Sequence, residues 1–366
     1  MSKTSFAKTE AKNIQQSLDT AFTEDDFHIL MQLMSRFPHY SYRNILILKA
    51  RCPHAQMLKK YRTWFKLGRA VRENEKAIHI CSYFGEDDDE KRGEENTSGQ
   101  SGRNNNRRYK QRGETEKRDY RYVPLFDISQ TGELEDFESE AVPYAPLDMT
   151  PRHRQNIVAF NQDVPGFGEL MAVLQSVSPL PISFSAEIAQ DGILLGQDII
   201  IQTGITQLRA VRAALTQIVH AMLHTRCSDK ALKAAEAESV VYVVSQRLGL
   251  ETAGLRFQRI GDFGASREKN EKKAFLDTVQ KTAMFLTDSI EGEQEARRLG
   301  YDTADFYMLL AGKTASRLLR AGHRVWLVDP DTLGGKWAAS AKEIEDHNGP
   351  FAVERAEWHN ATRRAA

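Results

Sequence analysis

The sequence lacks most of the features that assign a protein to a class directly. Its 366 residues include only three cysteines, Cys52, Cys81 and Cys227, which are odd in number and far apart. We therefore expect neither a disulfide framework nor a cysteine-rich metal site. No run reaches the length of about 18 apolar residues that a membrane span needs. A Gly-rich phosphate loop, a Ser or Cys nucleophile motif and internal repeats are also absent.

The composition is that of a soluble globular protein. Hydrophobic residues make up 41% of the chain and charged residues 27%, and the length allows roughly two or three domains. The N-terminal stretch MSKTSFAKTEAK lacks the apolar core of a signal peptide. We therefore expect a cytoplasmic protein without a membrane partner.

Charge is balanced over the whole chain but not locally. Lys and Arg number 50, as do Asp and Glu, yet residues 39–76 hold ten Lys and Arg against two Glu. A one-sided patch of this kind suits nucleic acid whatever the net charge is. The cations of its second half are Lys59, Lys60, Arg62, Lys66, Arg69, Arg72 and Lys76.

Aromatic residues interleave with these cations at Tyr61, Trp64 and Phe65. Cations and exposed rings are what a groove for single-stranded nucleic acid needs when it binds without sequence preference. The alternative is a hydrophobic core with a solvated basic rim, in which Trp64 and Phe65 are buried. Trp64 is compatible with both alternatives, and Tyr40 and Tyr42, flanked by Arg43, are the preferred stacking candidates.

Two apolar helices are predicted on either side of a polar turn at residues 225–230. Apolar residues recur at steps of three and four over residues 208–222 and again over 231–248. In a zinc peptidase, HExxH on the first helix supplies two imidazoles and a Glu base, and a carboxylate on the next helix completes the site. Here the five residues read Thr216-Gln217-Ile218-Val219-His220, so one ligand and the base are missing.

Both regions resemble the ArdC-like antirestriction proteins of plasmids and integrative elements. The resemblance rests on AALTQIVHAMLH and EAESVVYVVSQRLGL in the helices and, nearer the N-terminus, on Tyr40–Asn44, Tyr61–Arg69, Val71 and Glu75–Lys76. Asn44 joins the candidate DNA contacts through this resemblance. The family usually has Gly on both sides of the Glu-Lys pair, where this chain has Asn74 and Ala77, and of these only Asn tolerates a positive φ.

The resemblance also implies roles for residues of the helical region. Thr216 stands for the first His ligand, Gln217 for the catalytic Glu, His220 for the second His and Glu236 for the acidic ligand. A catalytic zinc needs three protein ligands plus a water, and a neutral amide cannot take a proton from that water. We therefore expect a pseudo-metallopeptidase with no catalytic residues and no cofactor.

Two other interpretations of this region stay open. His220 and His224 are four residues apart and share a helix face, so they could bind zinc together with Glu236 or Glu238. Otherwise His220 is partly buried and satisfied, His224 lies on the surface, and Glu236 pairs with a nearby cation.

The predicted fold is α+β with two domains. Residues 1–131 form an ArdC-like single-stranded DNA-binding domain, in which the nearly apolar-free residues 85–119 are a disordered insert between two strands. A Pro- and Glu-rich linker over 132–150 precedes a degenerate, zincin-like metallopeptidase domain over 151–292. A C-terminal helix and a small α/β module occupy 293–366.

The individual elements follow from periodicity and capping signals. The predicted helices cover residues 9–37, with Thr23 as a cap inside that range, and residues 44–49, 151–162, 167–176 and 268–290. The predicted strands cover residues 77–81, 120–128 and 181–184, followed by a hairpin that turns at 196–198 and a strand-helix-strand tail from 324 onward.

Together these features predict a protein that binds single-stranded DNA, with double-stranded DNA as a second partner. The resemblance adds the expectation of antirestriction or DNA protection during the transfer of a plasmid or integrative element. The rival function is a zinc metallopeptidase with the altered ligands His220, His224 and Glu236. A third is a scaffold whose peptidase-like domain binds a protein partner.

Overall fold

Runs of helices and runs of strands follow one another along the computed structural model, which describes residues 3–83, 120–133, 163–224, 227–255, 257–300, 306–310, 312–328, 335–347 and 350–354. The helices are α1 (Lys3–Thr20), α2 (Glu24–Arg36), α3 (Tyr42–Arg51), α4 (Tyr61–Lys66), α5 (Phe167–Val177), α6 (Gln207–Leu223), α7 (Lys230–Arg247), α8 (Ile260–Ala265), α9 (Lys269–Leu299), α10 (Gly312–Arg320) and α11 (Ala341–Glu345). The strands are β1 (Leu58–Lys59), β2 (Arg69–Val71), β3 (Ile78–Tyr83), β4 (Tyr120–Asp127), β5 (Thr131–Glu133), β6 (Ile182–Ser185), β7 (Gly192–Leu195), β8 (Asp198–Gln202), β9 (Phe306–Leu309), β10 (Trp326–Val328), β11 (Gly335–Trp337) and β12 (Phe351–Glu354). This mixture confirms the α+β class.

The chain folds into two units. One consists of residues 1–49 and 148–366, and the other of residues 50–147. The predicted domains are continuous ranges of sequence, whereas these units are defined by packing. The predicted domain bounds therefore stay predictions. The predicted insert at 85–119, most of the linker at 132–150 and the helix at 151–162 lie outside the described residues.

The first unit has a helical core in which α7 packs against α2, α6 and α9. Aromatic rings fill the space around α2. Phe27 meets Phe257 edge to face with ring centroids 4.8 Å apart, and Phe263 and Phe275 lie 5.0 Å apart. Buried rings contribute most of the apolar area in such a core.

The predicted helix over 9–37 is interrupted at its predicted cap. α1 ends at Thr20, and α2 begins after Thr23, whose hydroxyl accepts a hydrogen bond from the Asp26 N–H at 3.4 Å. The acidic first turn of α2, Glu24 to Asp26, complements the positive end of the helix dipole. The cap signal in the sequence is therefore confirmed.

A small sheet with the order β6-β8-β7 packs beside α6. β6 runs parallel to β8, and β7 and β8 form the predicted hairpin, in which Leu195 faces Asp198 across the turn. Gly196 takes a φ of 63° there, a conformation that glycine adopts at little cost.

The tail is larger than predicted. β10, α11 and β12 are the predicted strand, helix and strand, but β9 and β11 join them in a four-stranded sheet with the order β11-β10-β12-β9. α9, predicted to end at 290, continues to Leu299 and ends before Gly300, which has a φ of 76°.

The second unit contains the sheet β1-β4-β3 and the pair β2-β5. β3 and β4 pair antiparallel from Ile78–Leu125 to Tyr83–Tyr120, so residues 84–119 connect two neighbouring strands, as the sequence predicts. Asn74, which replaces a family glycine, takes a φ of 65°, whereas Ala77 does not have a positive φ. Asn74 therefore adopts the positive φ that asparagine tolerates, and Ala77 does not need to adopt one.

Candidate functional site

The six-residue helix α4 presents two aromatic rings and two cations to solvent. Tyr61 is 57% exposed and Phe65 53% exposed, and Arg62 and Lys66 are also exposed. At 3.6 residues per turn these four side chains cover one continuous arc of the helix. We call them the α4 surface.

The cations around the α4 surface are available to a ligand. Within the described part of the chain, Lys59, Arg62, Lys66 and Lys76 form no ion pair. Lys59 and Lys76 are exposed as well, and Lys60 is half-buried at the start of α4. The described part of the second unit therefore carries four cations without an ion pair, and two of them, Arg62 and Lys66, lie on the α4 surface itself.

Trp64 anchors α4 and is not available for stacking. Its side chain is fully buried, and the indole Nε1–H donates to the Phe126 carbonyl at 2.9 Å. The Phe126 ring also meets Tyr61 edge to face, with centroids 6.2 Å apart. The prediction that Trp64 contacts DNA is therefore corrected: this ring belongs to the core, because it lies on the opposite side of α4 from Arg62 and Lys66.

A buried carboxylate holds the strand in front of α4. Asp127 is fully buried, and its Oδ1 accepts hydrogen bonds from the N–H groups of Gln56 and Met57 at 2.8 and 2.9 Å. Its Oδ2 accepts from the Ser129 N–H and hydroxyl at 3.0 and 2.7 Å. These four bonds fix β1 against β4 and so position Lys59.

Arg69 and Arg72 use their donors within the second unit. Arg69 donates to the Thr131 hydroxyl at 2.8 Å and to the Thr131 carbonyl at 3.3 Å. Arg72 donates to the same carbonyl at 3.3 Å, to Glu75 at 3.1 Å and to the Ser129 carbonyl. Both guanidinium groups thus hold β2 to β5. Among the predicted cations of the second unit these two are less available than Arg62 and Lys66, because several of their donors already have partners.

The Glu75-Lys76 pair is fixed by Gln130. The Gln130 amide donates to the Glu75 carboxylate and to the Lys76 carbonyl, both at 3.0 Å. Hydrogen bonds from Gln130 and Arg72 lower the pKa of the Glu75 carboxyl. The backbone of Lys76 is therefore held while its side chain stays exposed.

The other predicted DNA contacts belong to the first unit, and two of the four are buried. Tyr42 is 9% exposed and Asn44 6% exposed. Tyr40 stacks on Phe37 with centroids 5.3 Å apart, and burial raises the pKa of its phenol to about 12. Arg43 is exposed, and its Nε–H donates to the Tyr42 hydroxyl at 3.3 Å. Tyr40 and Tyr42 therefore lack the free ring faces that stacking on bases requires.

At the degenerate HExxH positions, each substituted side chain has a structural partner. The Thr216 hydroxyl donates to the Arg212 carbonyl one turn earlier in α6 at 2.8 Å. The Gln217 amide donates to the Gly192 carbonyl of β7 at 3.1 Å. An ionised Glu has no hydrogen to donate to a carbonyl, so the contact made by Gln217 depends on its amide.

The three predicted metal ligands come together, but in a row. His220 Nδ1 and His224 Nδ1 are 2.7 Å apart, and His224 Nε2 lies 2.9 Å from the Glu236 carboxylate. Asp229 caps α7 by accepting from the N–H groups of Ala231 and Leu232, both at 3.0 Å, and Glu236 lies in the second turn beyond that cap. His224 is only 6% exposed, which corrects the alternative in which it lies on the surface.

This arrangement does not fit a zinc ion. His224 uses one ring nitrogen for His220 and the other for Glu236, so the three donors do not face a common point. Among the described residues, no group of three or more His, Cys, Asp or Glu side chains is arranged to hold a metal. Desolvation, helped by the charges of His224 and Lys233, lowers the pKa of His220 to about 4. His220 is therefore neutral at physiological pH.

Tyr61 and Phe65 were noted among the basic residues of the sequence, but they were not chosen as DNA contacts, and Phe65 was left open to burial. The signal that could have singled them out is their spacing, because residues four apart lie on the same face of a helix.

In the part of the chain that the structure covers, no helix is long and apolar enough to cross a membrane.

Comparisons with known proteins place the N-terminal region. Residues 7–126 match the family model of the N-terminal domain of anti-restriction factor ArdC. An uncharacterized protein of Bacillus anthracis is 22% identical over 350 residues, which cover 84% of this chain and 57% of that protein. The chain thus spans little more than half the length of this relative.

Two solved structures are also similar. The Mn(II)-bound crystal structure of the antirestriction protein ArdC from the R388 plasmid has a TM-score of 0.42 and 14% identity, covering 76% of this chain and 97% of that one. The metal-free structure of the same protein has a TM-score of 0.37 and 14% identity, covering 72% and 86%. The family match shows that residues 7–126 of this chain are similar to the N-terminal domain of anti-restriction factor ArdC.

Proposed function

We propose that this protein binds single-stranded DNA, and double-stranded DNA more weakly, in antirestriction or DNA protection during the transfer of a plasmid or integrative element. The antirestriction part is supported by the match of residues 7–126 to a domain of an anti-restriction factor. The DNA-binding part is supported by the site itself.

The observation that carries the proposal is the α4 surface. Exposed aromatic residues are costly to keep in water unless they have a partner, and Tyr61 and Phe65 are both more than half exposed on one turn of helix. Bases offer a flat ring face to stack on, whatever their sequence. Arg62 and Lys66 extend the same arc and can pair with the phosphates on either side of a stacked base.

The preference for single strands follows from the same geometry. In a duplex the base faces are covered by their neighbours, so the rings of Tyr61 and Phe65 would have no free face to meet. In a single strand the bases can turn outward and stack on protein rings. Duplex DNA would then bind mainly through its phosphates and would lose affinity more steeply as salt is added.

We propose further that the region around α6 and α7 is a zincin-like fold without peptidase activity. Three features support this: the sheet β6-β8-β7 beside α6, Gln217 at the position of the catalytic base, and Thr216 at that of the first ligand. Neither Thr216 nor Gln217 can supply the ligand and the base that hydrolysis needs. The protein partner suggested for this region stays a prediction.

The test is a fluorescence anisotropy titration of the full-length chain with a labelled oligo-dT. If Lys59, Arg62, Lys66 and Lys76 each contact one phosphate, log K should fall with log salt at a slope of about −2.8, at roughly 0.7 per phosphate contact. The matched control is Lys230→Ala, which removes an exposed lysine from the other unit and should change nothing. Absence of binding at low salt would contradict the proposal.

A further inference from the structure

The row Glu236–His224–His220 is not explained by DNA binding. It joins the end of α6 to α7, because His224 directly follows the last residue of α6 and Glu236 lies within α7. His224 and Glu236 are nearly fully buried. A buried polar group without a partner costs free energy, so each donor in this row must face an acceptor.

The proton positions in the row can be assigned from the distances. The carboxylate of Glu236 can only accept, so His224 donates through Nε2–H. At 2.7 Å, the two Nδ1 atoms of His220 and His224 share one hydrogen between them. An imidazole with its single N–H at Nε2 can only accept at Nδ1, so in that tautomer of His224 the donor of the second bond is His220.

That assignment is incompatible with a zinc ion between the rings. Two nitrogens that bind one zinc at 2.0–2.1 Å in tetrahedral geometry lie about 3.3 Å apart, and both lone pairs point at the metal. Here the nitrogens are closer, and one lone pair is used by the other ring's hydrogen. Glu236 lies on the far side of His224 and cannot reach the same point.

Gln217, three residues before His220 and on the same face of α6, contacts strand β7. The Asp191 carbonyl accepts from the Gln202 N–H at 2.9 Å, so the next carbonyl, that of Gly192, points away from β8, where it accepts from Gln217. A Cβ on Gly192 would lie 3.2 Å from the Ala213 Cβ and 3.4 Å from the Gln217 Cγ. β7 therefore packs so closely on α6 that a side chain at position 192 would force its neighbours to move.

We infer that Glu236, His224 and His220 form a metal-free clasp, in which hydrogen bonds rather than a metal ion hold α7 to α6, while Gln217 holds β7 to the same helix. The clasp provides the link between the two helices that a bound metal provides in an intact site. Among the described residues, the clasp leaves no ligand set for a metal. Gln217 occupies the outward carbonyl of β7.

The first experiment uses zinc chloride and manganese chloride on the full-length chain. After incubation and desalting, metal analysis should find no stoichiometric metal, and neither salt should raise Tm, since a ligand stabilises only the state that binds it. One tightly held metal per chain with a raised Tm would overturn the clasp. Because this readout does not involve DNA, it leaves the DNA-binding proposal untouched.

The second experiment uses four variants of Glu236 and His224, together with one control. Glu236→Ala and His224→Ala should each lower Tm by several degrees, and the double variant should cost less than the sum, because both act on one hydrogen bond. Glu236→Gln keeps an acceptor for His224 Nε2–H and should lose less than Glu236→Ala, and it serves if His224→Ala does not fold. The control is Glu238→Ala, a half-buried glutamate two residues further along the same helix.

Additive losses in the double variant would overturn the clasp, as would equal losses in Glu236→Gln and Glu236→Ala. A metal site gives a different pattern, because removing any of the three residues, including by the Gln substitution, would release the ion and abolish its effect on Tm.

Discussion

Two short segments of this protein combine similar types of residue but differ in which side chains they expose. Tyr40–Asn44 and Tyr61–Lys66 both combine aromatic rings with Arg or Lys. In the first segment Tyr42 and Asn44 are buried and only Arg43 is fully exposed among the candidates. In the second, two rings and two cations are exposed, and only Trp64 is buried.

The difference comes from how many sides of each helix are covered. α3 buries Tyr42 and every residue from Asn44 to Leu48, so it is covered on most sides and its one aromatic ring lies in the core. α4 is six residues long and is anchored by Trp64 alone. A short helix held at one point leaves its remaining residues in water, and this makes it the better candidate for a ligand surface.

The largest expected effect comes from removing the anchor. Trp64→Ala should lower the free energy of unfolding by about 3–5 kcal/mol, since it leaves a cavity of aromatic size and an unpaired Phe126 carbonyl. Urea unfolding measures this loss. Tyr61→Ala is the matched control and should stay within about 0.5 kcal/mol, as expected of an exposed side chain. An unchanged free energy of unfolding in Trp64→Ala would mean that the Trp64 side chain is not buried.

The next effect separates the rings of the two segments. Tyr61→Ala and Phe65→Ala should each weaken binding of oligo-dT by about 1–3 kcal/mol per stacked base, without changing the salt slope. Tyr42→Ala should instead lower stability, because its ring is buried. Anisotropy titrations at several salt concentrations distinguish the two outcomes. If Tyr61→Ala and Phe65→Ala bound oligo-dT as tightly as the wild type does, the exposed rings of α4 would not be stacking residues.

A smaller effect separates cations that carry the same charge. Arg62→Ala and Lys66→Ala should each reduce the salt slope by about 0.7, because each removes one phosphate contact. Arg69→Ala and Arg72→Ala should leave the slope nearly unchanged and lower stability by about 0.5–1.5 kcal/mol per lost hydrogen bond. If all four variants changed the slope equally, the hydrogen bonds to β5 would not keep Arg69 and Arg72 from DNA.

The smallest effect tests the burial of Tyr40. A phenol whose pKa is raised in the folded state stabilises the fold fully below its ordinary pKa of about 10 and loses this contribution as pH rises toward 12. Lysines also titrate in this range, so the comparison is with Tyr40→Phe. The unfolding free energy of the wild type should fall more steeply between pH 10 and 12 than that of Tyr40→Phe. Parallel curves would mean that the Tyr40 ring is in water.

Local signals in the sequence predicted most of the elements. The Thr23 cap and the hairpin at Gly196 depend on neighbouring residues or on a period of two, and both are confirmed. The pairing of β3 with β4, which the family resemblance implied, is also confirmed. The joining of β9 and β11 to the tail sheet depends on contacts between distant segments, and no local pattern indicated it.

At the candidate site, the chain itself determined which residues were present: a basic stretch rich in rings, and a helix that lacks the first ligand and the base of HExxH. Local spacing also determined that His220 and His224 share one face. Only the tertiary structure decided that Trp64 faces inward while Tyr61 and Phe65 face outward, that Arg69 and Arg72 are bonded to β5, and that His224 lies between His220 and Glu236. The reason is that burial depends on which surfaces meet, and those surfaces come from segments far apart in the chain.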